Sequence, residues 1–571
     1  MTGGGPSARS ARVELGLVVA LGALVAAPAL LAALRGDLLG HPLSDMPDHL
    51  QGAWWFGGEL LRGRLPAETG LTHFPGALRL WYPDPIGALF MLAARPLGLA
   101  RAWDLLQALQ PGAAALAAYA MGRDLLGPGR GGLVPAAVVG ASPYLLGLQH
   151  SGLSEYAGIW PVVLAVWATL RALGLDPRGR PPSLRLAALA GLLVGLCALQ
   201  ALYYGLFTAL FAVCALPGRG VRARVLPLLV LGLVATPPCL GVAALAEAAL
   251  ADPLAAVTAA NAPGWQGDGL PATDLLTFIR PGAHYFPDTP ALGNPGILHV
   301  NYLGGVALLL GMWAAVRDRS LRPLLTVTLL YGLLCLGPAL CWDGRLVRVG
   351  GQALRLPLAL LYLPGSPLAG VHHPYRLVVA LLPLLGLFAG SGAARLPAVG
   401  AGLLRDGAAL VVVLEALLLS PAPWPTRVTA FELPAIYAAL PDGPLLDWPP
   451  DATAANRRYQ AWQTAHGQPI PYGVNVFLPE VLRSDLLVVD LLRALDDPAA
   501  RSRNRDQPPL RQLYPPSASR RARLGELGFV ALVLHREALG EAERSRTEAL
   551  LRARLGAPLV DQGAEAAWPI R

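Results

Sequence analysis

What most limits the fold of this chain is a succession of apolar runs, about eleven of them, each near the roughly 20 residues that an α-helix needs to cross a bilayer. They fall at 13–34, 102–122, 131–149, 155–173, 184–200, 202–217, 225–247, 300–316, 322–341, 374–394 and 403–420. Of the 571 residues 54% are hydrophobic and only 14% charged, against about 25% charged in a soluble domain. The expected class is therefore mainly α, a polytopic α-helical membrane protein of about 11 transmembrane helices. Its 54 Pro and 64 Gly interrupt the apolar runs, which membrane helices tolerate. The first run is too long for the apolar core of a secretory leader and reads as an uncleaved first span. The stretch 85–99, PIGALFMLAARPLGL, is too short to cross and reads as an interfacial or re-entrant helix.

Charge sets the orientation. The chain has no Lys, so all 45 basic residues are Arg. With the N-terminus in the cytoplasm, every short inner loop is basic: Arg9 and Arg12, Arg123 and Arg130, Arg178, Arg180 and Arg185, Arg219, Arg222 and Arg224, Arg317, Arg319 and Arg322, Arg395 and Arg405. That placement accounts for the net charge of +8 without nucleic acid, which is not expected as a partner. The longer segments then lie outside: 35–101, 248–299, 342–373 and the tail from Pro421. The expected division is a membrane domain over 1–420 and a soluble external α/β domain over 421–571. In that tail short apolar runs (GPLLDW, GFVALVLH, APLVDQ) alternate with charged helical sequence such as LGEAERSRTEALLRARLG, and DDPAARSRNRDQPP reads as a solvated loop. The five cysteines form no CxxC pair and read as apolar fillers.

The first outer loop concentrates the chemistry. Asp45 and Asp48 stand beside His49, and Asp48 opens a run with apolar residues at Leu50, Ala53, Trp54, Gly57, Leu60 and Leu61, the spacing of an amphipathic helix. With Trp54, Trp55 and Phe56 on it, that helix is expected to lie along the bilayer surface, with His49, Gln51, Glu59 and Arg62 facing water. A carboxylate there can deprotonate a hydroxyl or help to hold a divalent cation, Mg or Mn. Acidic residues also favour a helix start whatever their function.

Arg376 follows His372, His373, Pro374 and Tyr375 at the outer edge of a helix, against the inner bias of the other arginines. An anion such as a lipid phosphate would suit its guanidinium fork, although a snorkelling anchor fits the same position. Adjacent histidines lack the spacing of a helical zinc pair, so no metal is assigned to them. His150, Ser151, Ser154, Glu155 and Tyr156 form an outer turn that either lines the same cavity or caps a helix. Asp104 and Glu415 are carboxylates within apolar segments, functional candidates with no evident partner in the sequence.

Together these parts resemble the GT-C superfamily of polytopic membrane glycosyltransferases. The motifs are Asp45/Asp48, the aromatic helix at Trp54 to Phe56, Gly63-Arg64-Leu65-Pro66, Tyr82-Pro83, Asn301-Tyr302-Leu303-Gly304 and Pro374-x-Arg376. They are similar to those of a bacterial group. The resemblance implies a multi-pass protein of the bacterial inner (cytoplasmic) membrane, acting in the cell envelope on its external face. It implies transfer of a sugar from a polyprenyl-phosphate donor to an acceptor hydroxyl on a glycan, lipid or protein, with Asp48 or Asp45 as general base. Arg376, Tyr375 and His373 would then meet the donor phosphate, and His49, His150, Glu155, Tyr156 and Tyr82 would line the cavity. The adjacent acidic pair common in protein mannosyltransferases is absent, which leaves the acceptor class open. The alternatives are a non-enzymatic transporter of a lipid or glycan, favoured by paired intramembrane charges and repeated halves, and a membrane assembly protein of envelope polysaccharide. Polarity here gathers in the outer loops and no repeat is found, which favours the enzyme.

Overall fold

A computed structural model describes residues 8–42, 44–79, 82, 84–128, 131–218, 220–250, 272–281, 298–362, 371, 373–396, 403–450, 455–473, 478–495 and 523–570. Most of 248–299, the solvated stretch at 496–509, Arg130, Arg219, Pro83 and His372 lie outside them. The chain is mainly helical with a few strands.

Helices occupy each of the expected apolar stretches. Among the described residues three are long and apolar enough to cross a membrane: Arg12–Arg35, Val221–Leu245 and Pro374–Ala393. The helix Leu99–Leu126 is as long as the first but takes in Arg101, Asp104, Gln107, Gln110, Arg123 and Asp124. The stretch 131–149 is broken into Leu133–Gly140 and Pro143–His150, because Ser142 caps a new start and Pro143 has no N–H to continue the old helix. Likewise 155–173 divides into Ser154–Ala157 and Trp160–Ala172 at Gly158. The segment 322–341 stops being helical at Cys335 and continues into a pair of short hairpins.

Pro374–Ala393 is wholly enclosed by its neighbours. Small residues allow that closeness, since a Cβ on Gly386 or Gly390 would come within 3.1 Å of Pro135. Leu226, Leu229, Leu233 and Leu240 on the Val221–Leu250 helix, and Leu309, Met312 and Val316 on Gly305–Arg317, instead point outward, as a lipid-facing surface requires.

Asp104 and Glu415 both have partners. Asp104 Oδ1 accepts the Leu39 N–H at 2.8 Å and fixes the exit of the first helix. Glu415 accepts from the N–H groups of Gly305 and Val306 at 2.6 and 3.0 Å, and from the Tyr302 hydroxyl. It therefore caps the helix Gly305–Arg317 from across the fold, because Gly304 has no side chain to do so.

Leu38–Leu39 pairs antiparallel with Val428–Thr429, so the chain after the last apolar helix returns to the loop that follows the first one. The tail contains a four-stranded sheet in the order Val560–Asp561, Glu565–Pro569, Ala531–His535, Leu445–Trp448. Ala531–His535 pairs parallel with the edge strand Leu445–Trp448, and the other two pairs are antiparallel. Its helices are Ala455–His466, Leu486–Ala494 and Glu541–Leu555, and Trp448, Tyr459, Tyr472, Leu491 and Trp568 fill its core.

Candidate functional site

The aspartate helix, Met46–Leu61, is the centre of the site. Pro47 in its first turn presets the backbone, and Asp48 stands where the helix dipole favours a negative charge. Its surroundings correct the amphipathic expectation. His49, Gln51 and Glu59 are buried with the apolar residues rather than facing water. The reason is the tail helix Ala455–His466, which packs along the polar side and places Gln463 Oε1 3.1 Å from Gln51 Nε2. Glu59 lies 2.7 Å from Arg62 and 2.8 Å from Arg64. On the opposite side Gly52 leaves room for the Tyr82 ring, since a Cβ there would sit 2.5 Å from Tyr82 Cδ2. Tyr82 then donates to the His49 carbonyl at 3.0 Å.

Three carboxylates from separate elements come into this space. Asp48 is 4% exposed, and its Oδ1 has no hydrogen-bond partner. Burial pushes its carboxyl up to about 7, although Arg457 pulls it down, Asp45 raises it and His49 lowers it. Asp84, in the turn before the helix Pro85–Ala93, caps that helix by accepting from Gly87 N–H at 2.7 Å and also accepts from Gln200 Nε2 at 3.0 Å. Its Oδ2 is left without a partner, and burial raises it to about 6. Glu155 comes from the short helix Ser154–Ala157, and its Oε2 lies 3.2 Å from His49 Nδ1 without the alignment of a hydrogen bond. Burial raises Glu155 to about 8, against the pull of Arg376.

Arg376 sits at the start of the enclosed helix and is 7% exposed. Its guanidinium lies 3.9 Å over the Tyr156 ring, and its Nε donates to the Tyr375 hydroxyl at 3.3 Å. Among the described residues no carboxylate forms a salt bridge with it. That is an expensive way to keep a cation in a dry place unless an anion completes it. His299 contacts the same tyrosine, with Nδ1 2.7 Å from Tyr375 Oη, and its ring stacks on His373 at 5.2 Å.

The structure thus brings together Asp45, Asp48, His49, Tyr82, Glu155, Tyr156, His373, Tyr375 and Arg376. His150 stands in an adjacent layer, its ring 5.5 Å from His41, which in turn faces Arg427 at 3.2 Å. Sequence reasoning passed over three residues: Asp84, His299 and Arg457. Asp84 between two prolines looks like a helix cap, which it also is. Nothing local distinguishes Arg457, whose NH2 lies 2.8 Å from Asp45 Oδ1 and whose Nε lies 3.8 Å from Asp48 Oδ2. Both carboxylates that a Mg or Mn ion would use thus face an arginine, and among the described residues no three His, Cys, Asp or Glu side chains gather as a metal centre. Among the described residues the donor set of such an ion is not completed here.

No family model matches the chain, and no curated protein does. Among solved structures it is similar to the arabinofuranosyltransferase AftD from Mycobacteria, with 15% identity and a TM-score of 0.48 over 99% of this chain. The chain spans 40% of the length of that protein. It is also similar to the oligosaccharyltransferase AglB from Archaeoglobus fulgidus, solved with an inhibitory peptide and a dolichol-phosphate, with 11% identity and a TM-score of 0.44 over 90% of this chain and 69% of that one.

Proposed function

We propose that the chain is a membrane glycosyltransferase, which moves a sugar from a polyprenyl-phosphate donor to an acceptor hydroxyl at the external face of a bacterial inner membrane. One observation supports this most: a buried arginine with no salt bridge to a carboxylate among the described residues shares a site with a buried aspartate, one oxygen of which has no hydrogen-bond partner. A lipid-linked sugar phosphate holds its chain in lipid and its phosphate at the interface, so it brings the missing anion to Arg376, with Tyr375 and His373 beside it. Asp48 takes the proton of the acceptor hydroxyl, whose oxygen attacks the anomeric carbon. The carbon–oxygen bond to phosphate breaks, its electron pair leaves with the phosphate, and the configuration inverts. A base with a carboxyl near 7 is suited to neutral pH. Asp45 is the partner that shapes its charge, and Glu155, His49, Tyr156 and Tyr82 form the walls.

The reading is tested with purified protein and a panel of radiolabelled polyprenyl-phosphate sugars. Asp48→Asn should lower transfer by about 10²- to 10⁴-fold while donor binding stays close to the parent. A fully active Asp48→Asn places the base elsewhere. We also propose about eleven spans with the tail outside. A reporter fused after Ser420 should then be active only outside the cytoplasm, and a cytoplasmic signal there removes the external site.

A further inference from the structure

The tail is fastened to the aspartate loop by more than surface contact. Leu71 O accepts from Ile470 N–H at 2.8 Å and from Gln463 Nε2 at 2.6 Å. Phe74 N–H donates to Ile470 O at 3.1 Å, and the Phe74 ring meets Phe529 edge-on at 5.1 Å. Gln463 reaches Gln51 from the same helix that carries Arg457. That helix delivers a cation between two aspartates three residues apart, and it is held in place along both of its neighbours.

We infer that Arg457 is a positioning residue for this site: its guanidinium is the resident counter-cation of the Asp45–Asp48 pair, in the place a divalent metal would take. The inference rests on the reading of Asp48 as the base. The contacts are unequal, 2.8 Å to Asp45 and 3.8 Å to Asp48. Asp45 is therefore tied down, while Asp48 receives the positive field but keeps Oδ1 without a protein donor. A base needs that combination, since a directly paired carboxylate is a poor proton acceptor and an uncompensated buried one stays protonated. The charged and titratable groups facing Asp48 are Arg457 from the tail helix and Asp45 and His49 from its own helix, with Asp84, Glu155 and Arg376 around His49. Arg457 is thus the nearest cation in a mostly acidic surrounding. It comes from the part of the chain furthest from Asp48 in sequence, so the site is complete only when the tail is docked.

Two measurements on the purified full-length chain test this without a known substrate. In the first, Mn²⁺ is added at equimolar concentration and the free-ion signal is followed by electron paramagnetic resonance. The signal should be undiminished, and a stoichiometric loss that disappears in Asp45→Asn overturns the assignment. In the second, the Asp48 carboxyl is titrated by infrared difference spectroscopy, its band identified as the one that Asp48→Asn removes. Its midpoint should rise by about one pH unit or more in Arg457→Gln and stay near the parent in Arg457→Lys. An unmoved midpoint in folded Arg457→Gln overturns the inference. Should Arg457→Gln not fold, Asp45→Asn serves instead: the midpoint should fall as the guanidinium is released to Asp48, and no fall overturns it. Failure of the base itself looks different, because Asp48→Asn would then retain transfer whatever the titration shows.

Discussion

The run from Pro374 to Ala393 has an arginine beside each end, and the two are treated differently. Arg395, just past its last turn, is closed into a complete network. It lies 2.6 Å from Asp318 Oδ2 and donates to the Ser391 carbonyl at 2.9 Å, while Ser391 and Ser320 also donate to Asp318. A second network on the predicted inner side is equally closed, with Arg171 and Arg180 both reaching Asp124 and Asp176, and Trp167 Nε1 donating to Asp124 at 2.9 Å. Burial alone would raise Asp124, but hydrogen bonds from Arg180 and Trp167 outweigh it and the carboxyl is held low. About 30 Å away at 1.5 Å per residue, Arg376 has no salt bridge among the described residues, and Asp48, Asp84 and Glu155 each keep an oxygen without a hydrogen bond and are raised by burial. The same residue types build rigidity where every charge is matched. Where matching is incomplete they cost stability, and that is the arrangement on which the proposed function rests.

This contrast can be broken by substitution. Asp176→Ala should be the most damaging to the fold, because it takes the fully buried carboxylate from two arginines and leaves them only the more exposed Asp124: a loss of about 3 kcal/mol by thermal unfolding in detergent. Asp48→Asn, by comparison, should leave the melting point near or above the parent, and a collapse there would mean that the outer carboxylates are structural too. Glu155→Gln should act oppositely to Asp176→Ala, with a pH signature. A carboxyl raised to about 8 stabilises the fold only while protonated, so its contribution is intact below its unfolded value and lost as pH rises through 8. The variant should therefore gain about 2 to 4 kcal/mol over the parent at pH 9 and little at pH 4. A gain that does not vary with pH would remove charge as its cause. The smallest effect is expected in ligand binding. Arg376→Lys keeps the charge but loses the fork, so donor affinity should fall by about 1 to 3 kcal/mol in a binding assay, and unchanged affinity would make Arg376 an anchor like Arg395.

Much of this was legible in the chain. GPLLDW, GFVALVLH and APLVDQ contain the strands Leu445–Trp448, Ala531–His535 and Val560–Asp561, because short β-branched and aliphatic runs between turn residues have few alternatives. The basic loops that the sequence assigns to the inner side proved richer than a topology signal, since Asp124, Asp176 and Asp318 turn their arginines into closed networks. The candidate site was legible as a set of residues but not as an arrangement. Asp48, Glu155 and Arg376 were singled out by polarity in unusual places, a one-dimensional property. The water-facing side assigned to His49, Gln51 and Glu59 was wrong because periodicity reports which residues share a face, and not what covers it.

By itself the sequence determined the class of the molecule, since the length and hydropathy of each segment limit it to helices that bury their backbone polar groups internally. It also determined most of the segments that are helix or strand, through local spacing and capping, though not the breaks within 131–149, 155–173 and 322–341. Only the tertiary structure decided that Arg457, more than 400 residues after Asp45 along the chain, would stand 2.8 Å from it. It likewise decided that Glu415 would cap a helix it does not belong to, and that Arg376 would be buried beside carboxylates with free oxygens. These are pairings between distant positions, fixed by how the tail folds back and how the helices close around Pro374–Ala393. A charge carries no local mark of its partner, because the Coulomb energy depends on distance in space and on the dielectric that burial creates, and neither exists until the chain has folded.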